Sequence, residues 1–292
     1  MSPKIETKHT MKQNRIALIT CLHNRKKVSQ IAFACFERLQ KDFPVEMIFC
    51  YSNKENDVPH YDESDYITGI EHPNSPVSNK WNKLLEYALR SSRNYTHFLI
   101  MGDDDSISSE GLELLLSANS HHVGFRRNYY YDLLFHKAML HEYEFHRKLI
   151  GAGRLVSREA IEQTVLRQKV IIRREFHIPN KIFHPGNNAL LTIAQADYLC
   201  GYKHAVKIGE PEFVGLWPSK TNRSLDHNSE MNLVVNGFVP TSCDNERVHI
   251  VDFKSSENIW PYSILQHKCV ERKKDDALWF LSEKELSIVN NF

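Results

Sequence analysis

Asp103, Asp104 and Asp105 stand side by side directly behind the apolar run "THFLIMG" (96–102). Like charges about 4 Å apart repel by about 4 kcal/mol at an effective dielectric near 20, so such crowding needs a cation or full hydration. Hard divalent ions such as Mg²⁺ and Mn²⁺ take carboxylate oxygens and commonly share their coordination sphere with phosphates. Asp103 and Asp105 have the Asp-x-Asp spacing with which one turn can hold such an ion. A diphosphate bridged by that ion becomes a better leaving group. The same residues also read as a solvated turn in which Asp105 or Ser106 caps the next helix.

The surrounding elements decide between these readings. "RIALIT" (15–20), "VEMIFCYS" (45–52), "DYITGIEH" (65–72) and "THFLIMG" are β-rich apolar runs. Helical patterns fall at 28–41, at 75–92 with Pro76 near its start, and at 108–118 with Ser108 or Ser109 as N-cap. The resulting order, β-α-β-β-α-β-α, predicts an α/β fold with an open, mainly parallel sheet flanked by helices. Ligands of such sheets bind outside the carboxyl ends of the strands. The three acids, "CLHNR" and "NKEND" all fall at such ends, which favours the metal reading.

Residues 121–292 are less regular. "GAGRLVSREAIEQTVL" predicts a turn, a strand and a helix capped near Ser157. "NNALLTIAQADYLCGYKHAV" predicts a helix ended by Gly201 and then a strand, and "KKDDALWFLSEKELSIV" one amphipathic helix. No Pro/Gly linker divides the chain. The expected organisation is a disordered segment over 1–14 and a single domain with two halves, 15–120 and 121–292.

The 292 residues suffice for a full core, and 41% hydrophobic with 25% charged residues is ordinary for a globular protein. A net charge of +1 gives no global attraction to nucleic acid or membrane. The six cysteines form no Cys-x-x-Cys pair and several lie in apolar runs, as free thiols of a reducing compartment do. No membrane span or signal segment is apparent, so the expected location is cytoplasmic.

"RIALITCLHNR", "NSPVSNKWNKLLEYAL" and "THFLIMGDDDSIS", in this order and spacing, resemble nucleotide-sugar-dependent glycosyltransferases of the GT-A fold, family 2 above all. "GAGRLVSREAIE" resembles their acceptor-side segment, and the similarity spans roughly residues 15 to 210. "VDFKSSENIWPY" is similar to small virus-encoded glycosyltransferases. The resemblance implies a nucleoside-diphosphate sugar donor (UDP-sugar favoured), a Mn²⁺ or Mg²⁺ cofactor and a GT-A fold with an acceptor-side second lobe. It further implies that Thr20 and Arg25 line the nucleotide pocket, that Asn53, Glu55 or Asp57 faces the base or ribose, and that Lys80 and Asn82 approach the nucleotide. Asp103 and Asp104 would contact nucleotide, Asp103 ribose or metal, and Asp105 would be the principal metal ligand. A late metal or phosphate contact would come from His249 and Asp252, with Lys254 neutralising the departing diphosphate, and Lys220 and Arg223 as rivals.

One departure concerns the base. Inverting relatives carry a carboxylate shortly before a Gly-aromatic pair, here Gly201-Tyr202, where this chain has Asn187 and Asn188. An amide cannot accept the proton of a hydroxyl. Asp197 is the first candidate, with Asp132 or Glu210 behind it, or the mechanism is retaining. For the acceptor, "GFRRNYYYDLLFH" sets Arg126 and Arg127 beside Tyr129, Tyr130 and Tyr131. Aromatic faces stack on sugars and bases, and these Arg, or Arg173 and Arg174, could grip phosphate. Acceptors in view are a glycan hydroxyl or, in a viral setting within a host cytoplasm, a hydroxymethylated DNA base. Two other readings stay open. A nucleotidyltransferase would want a glycine-rich loop, which "CLHNRKK" lacks; a non-catalytic nucleic-acid binder would use the Arg/Tyr strand.

Overall fold

The computed structural model describes residues 14–143, 148–178, 181–183, 186, 188–218, 225–256 and 269–292. Asn187, Lys220, Arg223 and Trp260, and nearly all of the N-terminal segment, lie outside these. The first half runs β1 (Ile16–Cys21), α1 (Lys26–Gln40), β2 (Val45–Tyr51), α2 (Lys54–Asp57), β3 (Ile67–Glu71), α3 (Val77–Arg90), β4 (His97–Ile100), β5 (Asp105–Ile107) and α4 (Ser109–Ser117). There follow β6 (His122–Gly124), β7 (Arg127–Asp132), β8 (Lys137–Glu142), β9 (Arg154–Ser157), α5 (Arg158–Val165), β10 (Leu166–Ile172), β11 (Phe176–Ile178), β12 (Lys181–Phe183) and β13 (Asn188–Thr192). The chain continues through α6 (Ile193–Gly201), β14 (Ala205–Phe213), α7 (Leu225–Val235), β15 (Thr241–Ser242), β16 (Ile250–Lys254), β17 (Val270–Arg272), α8 (Lys274–Leu278) and α9 (Glu283–Asn290).

The architecture is α/β. A seven-stranded sheet has the order β15-β6-β9-β4-β1-β2-β3, with β1, β2, β3 and β4 parallel and β9 antiparallel. The inner strands are continuous apolar runs because both faces are covered by helices. On one face Phe36 and Leu39 of α1 and Leu112 and Leu115 of α4 pack on Leu18, Met47 and Leu99. On the other, Leu84, Leu85 and Ala88 of α3 and Ile161 of α5 pack on Ile19, Ile48 and Ile100. Each such fully buried Leu or Ile contributes roughly 1.5–3 kcal/mol.

A second sheet, of order β17-β8-β7-β16-β5, stands beside the acids. Here the structure departs from the expected loop. Asp105 begins a short strand, and Asp105, Ser106 and Ile107 pair antiparallel with Asp252, Val251 and Ile250. A partner almost 150 residues away decides this, and no local periodicity reveals it. Two other differences have the same character. Asn188–Thr192 is a strand rather than helix, because it pairs with β10 in a small sheet of order β13-β10-β14. The C-terminal pattern is two helices, since Ser282 and Glu285 form a capping box that starts α9. No helix among the described residues is long and apolar enough to cross a membrane.

Candidate active site

Four carboxylates and two cations meet where β4 ends. Phe253 N donates to Asp104 O (2.8 Å), so the acidic turn is stitched to β16 by its backbone. Gly102 N donates to Asp105 Oδ2 (2.6 Å), and a Cβ at position 102 would lie 2.7 Å from oxygens of both Asp104 and Asp105. Only glycine fits under that turn. Arg25 bridges Asp103 and Asp104, its Nη1 donating to Asp104 Oδ2 at 2.9 Å, and Ser29 Oγ donates to Asp103 Oδ2 at 2.8 Å. Lys254 Nζ lies 2.6 Å from Asp252 Oδ1, 3.9 Å from Asp104 Oδ2 and 5.2 Å from the centroid of the Tyr130 ring.

The electrostatics follow from this layout. Burial pushes Asp103 up to about 6 even though Arg25 opposes it. Asp104 is also buried, yet Arg25 and Lys254 outweigh that effect and hold its carboxyl below the usual range. Burial, then the neighbouring Asp252 and Asp104, drive Asp105 well above the usual range. Burial brings Asp252 to about 6 against the pull of Lys254. One carboxylate oxygen from each of Asp104, Asp105 and Asp252 lies within 4.8 Å of the others, the one such group among the described residues. An all-oxygen set in which Asp105 and Asp252 resist ionising beside Asp104 suits a hard divalent cation, which relieves that repulsion.

The expected ligands are only partly in this group. Asp103 turns instead to Arg25 and Ser29. His249 lies outside this group: its Nδ1 is 2.8 Å from Ser108 Oγ and its Nε2 2.9 Å from Asn245 Oδ1, and it packs on Phe125 and Trp279. Sequence spacing could not tell His249 from Asp252, because strand pairing rather than proximity along the chain brings Asp252 to the acids.

The residues expected to touch nucleotide have structural work. Asp57 accepts from the backbone N–H of Asn24 (2.7 Å), Ser52 (2.7 Å) and Asn53 (3.0 Å), which ties the loops after β1 and β2 together and depresses its carboxyl despite burial. Asn53 caps α2. Lys80 is fully buried and donates to Leu22 O and to Ser52 Oγ (2.9 Å). Asn82 clamps the segment after β14 through Leu216 N (2.9 Å), Trp217 N (3.1 Å) and Trp217 O (2.7 Å). Through these contacts Asp57, Lys80 and Asn82 shape the loops around the site. Thr20 is fully buried in β1, with no hydrogen-bond partner for Oγ1 among the described residues.

Asp197, expected as base, is exposed on α6 and pairs with Lys207, outside the pocket. Asp132 accepts from Leu134 N (2.8 Å) and Phe135 N (3.0 Å) in a turn, and Glu210 is exposed on β14. Arg126 and Arg127 lie 3.2 and 3.7 Å from Asp244, while Tyr129 and Tyr131 are core residues and Tyr130 alone of the three lines the pocket.

Beside the acids opens a cavity of about 1130 Å³, bordered by Asp104, Asp105, Asp252 and Lys254 and also by Trp81, Trp217 and Asp226. Asp226 carried no signal in the sequence, and α7, in whose first turn it lies, emerges only in the structure. Arg154, 1% exposed, donates to Asp226 Oδ1 (2.9 Å) and Asp226 O (3.0 Å), leaving the carboxylate 69% exposed. A Cβ at Gly151 would lie 2.3 Å from Asp226 Oδ2, so glycine there makes room for it.

No family model matches the chain, and no curated protein matches it. Solved structures do. The catalytic domain of Drosophila β1,4-galactosyltransferase 7 with xylobiose aligns over 81% of this chain and 67% of its own, at 10% identity and a TM-score of 0.39. S. aureus TarS 1–349 with UDP aligns over 94% and 69%, at 10% identity and 0.38. The inositol-1-phosphate CTP transferase of T. maritima aligns over 90% and 96%, at 10% identity and 0.34. Scores this low leave function to be argued from the geometry of the site.

Proposed function

We propose that the chain is a GT-A-type glycosyltransferase that moves a sugar from a nucleoside-diphosphate donor, UDP-sugar favoured, to an acceptor hydroxyl, using Mn²⁺ or Mg²⁺. The observation that carries this is the juxtaposition of Asp104, Asp105 and Asp252 with Lys254 at the carboxyl edge of a parallel sheet, facing a cavity that also holds Asp226. Asp104, Asp105 and Asp252 would hold the divalent cation, which when bound neutralises charge on a diphosphate leaving group. Lys254, kept protonated by Asp252 and Asp104 in spite of burial, adds a second positive charge on that side. Arg25 holds Asp103 and Asp104 in place. In the same cavity Asp226 Oδ2 would accept the proton of the attacking hydroxyl while Arg154 fixes the carboxylate through Oδ1. The acceptor oxygen bonds to the anomeric carbon, and the bond to the diphosphate breaks with its electron pair leaving on oxygen.

Trp81, 5.3 Å from Trp217 between ring centroids, offers an aromatic wall for a sugar ring. A glycan hydroxyl suits that wall better than a hydroxymethylated DNA base, because Arg126 and Arg127 spend their charge on Asp244 rather than at the cavity. Six free cysteines fit a reducing, cytoplasmic setting. A nucleotidyltransferase is disfavoured by the loop after β1, which has no glycine and points Arg25 at the acids.

Calorimetric titration with UDP, GDP and CDP, with and without Mn²⁺, tests the reading. The expected result is binding of one nucleotide that requires Mn²⁺ and disappears in Asp105→Ala. Binding indifferent to Mn²⁺ and to that substitution overturns it.

A further inference from the structure

Asp105 opens β5, and among the described residues β5 is the outermost strand of its sheet, paired by β16 on one side only. Its other side rests on side chains from distant parts of the chain. Arg38, in the last turn of α1, donates from Nη2 to Ile107 O (2.8 Å) and Ser106 Oγ (3.1 Å). Ser106 Oγ donates to Glu285 Oε1 (2.7 Å), and Glu285 Oε2 takes Arg38 Nε at 2.8 Å. Glu285 is fully buried on α9, and the same Oε2 accepts from Ser282 N (2.8 Å), so the capping box that starts α9 also aims this carboxylate. Neither Arg38 nor Glu285 borders the cavity.

The opposite end of α1 grips the acids themselves, through Arg25 just before it and Ser29 in its first turn. One helix therefore holds the acidic turn at one end and the strand leaving it at the other, with Asp105 in between. Asp105 faces Asp252 and Asp104, whose charges push against it. A strand carrying such a group at a sheet edge needs a brace on its free side to keep its place.

We infer that Glu285 and Arg38 are positioning residues for the proposed cation centre: they hold β5 in the register that sets Asp105 beside Asp252, so that docking of the C-terminal helix and cation binding support one another. The inference rests on the proposed metal reading. Coupling of this kind is reciprocal, so what loosens α9 weakens the cation and the cation tightens α9.

The test is Glu285→Gln, which keeps the side chain's size and removes its charge. Mn²⁺ affinity is measured directly by electron paramagnetic resonance of the free ion, and the Mn²⁺-induced rise in Tm is recorded beside it. Residues that orient metal ligands typically contribute 10–100-fold in affinity, so Glu285→Gln is expected to weaken Mn²⁺ about tenfold and to shrink the Tm rise. Lys284→Ala, which removes an exposed pair with Glu37 (2.7 Å) on the same helix, is expected to leave affinity unchanged. Wild-type affinity in Glu285→Gln, with Tm lowered equally in the presence and absence of Mn²⁺, means a merely structural contact and overturns the inference. Should Glu285→Gln fail to fold, Ser106→Ala removes the hydroxyl that Glu285 and Arg38 share and is read in the same way. If the wild-type protein takes up no Mn²⁺ at all, the metal reading has failed and this inference falls with it.

Discussion

Asp252 and Asp105 are register partners across the antiparallel pair of β16 and β5, so two acids far apart in the chain are neighbours by strand pairing. Burial raises both carboxyls, Asp252 and Asp104 raise Asp105 further, and Asp104 does the same at Asp252. Asp105→Asn is expected to abolish detectable Mn²⁺ binding in a calorimetric titration. The same change should stabilise the metal-free protein by on the order of 1 kcal/mol in thermal unfolding, since it removes a repelling charge. A metal-free Tm lowered by the substitution would contradict this account.

The acids also set a pH dependence. Asp252 titrates near 6 when folded, above its ordinary value of 3.8. Between those values the folded state holds a proton that the unfolded state has lost, so this contribution to stability is full below about 3.8 and is lost as pH rises through about 6. Cation and proton compete for the same oxygens. The Mn²⁺-induced rise in Tm should consequently be large at about pH 7.5 and small at about pH 5. A rise of equal size at both values would argue against these carboxylates as ligands.

Lys254→Met separates leaving-group assistance from metal binding. Removing this cation leaves Asp104 and Asp252 with less compensation, so Mn²⁺ should bind at least as tightly as in the wild type. The turnover number should fall about 10²-fold, the scale of losing one stabilising group at a developing charge. Steady-state kinetics beside a Mn²⁺ titration give both numbers, and weakened Mn²⁺ binding would contradict the assignment.

Asp226→Asn should lower the rate about 10²–10⁴-fold while leaving Mn²⁺ and nucleotide affinity unchanged. Gly151→Ala reaches the same carboxylate by another route, since its Cβ would lie 2.3 Å from Oδ2 and push Asp226 aside, so it too should lower the rate. Transfer at the wild-type rate in Asp226→Asn would remove it as the base.

His249→Ala serves as the counterpart. It breaks contacts with Ser108 and Asn245 in a buried setting and should cost about 1–3 kcal/mol in denaturant unfolding. Mn²⁺ affinity should not change. A loss of affinity larger than the loss of stability explains would return His249 to the metal.

The parallel core was legible in the sequence because β1, β2 and β4 are buried on both faces, which forces apolar runs that local composition reveals. The helices that cover them carry apolar stripes and caps such as Ser108 and Ser157, again local signals. From these alone the acids could be placed at a strand end, on the ligand-binding edge. Which oxygens converge there is a different matter. Asp103, Asp104 and Asp105 are equivalent in the sequence, and only the turn over Gly102 and the grip of Arg25 and Ser29 turn Asp103 away from its neighbours. Asp252 joins them because its register partner in β5 is Asp105, whereas His249, just before β16, is held by Ser108 and Asn245. Asp226 and Glu285 were silent in the sequence for the same reason: a carboxylate acquires its role from the arginine it meets, Arg154 or Arg38, and both meetings depend on the folding of segments far apart in the chain.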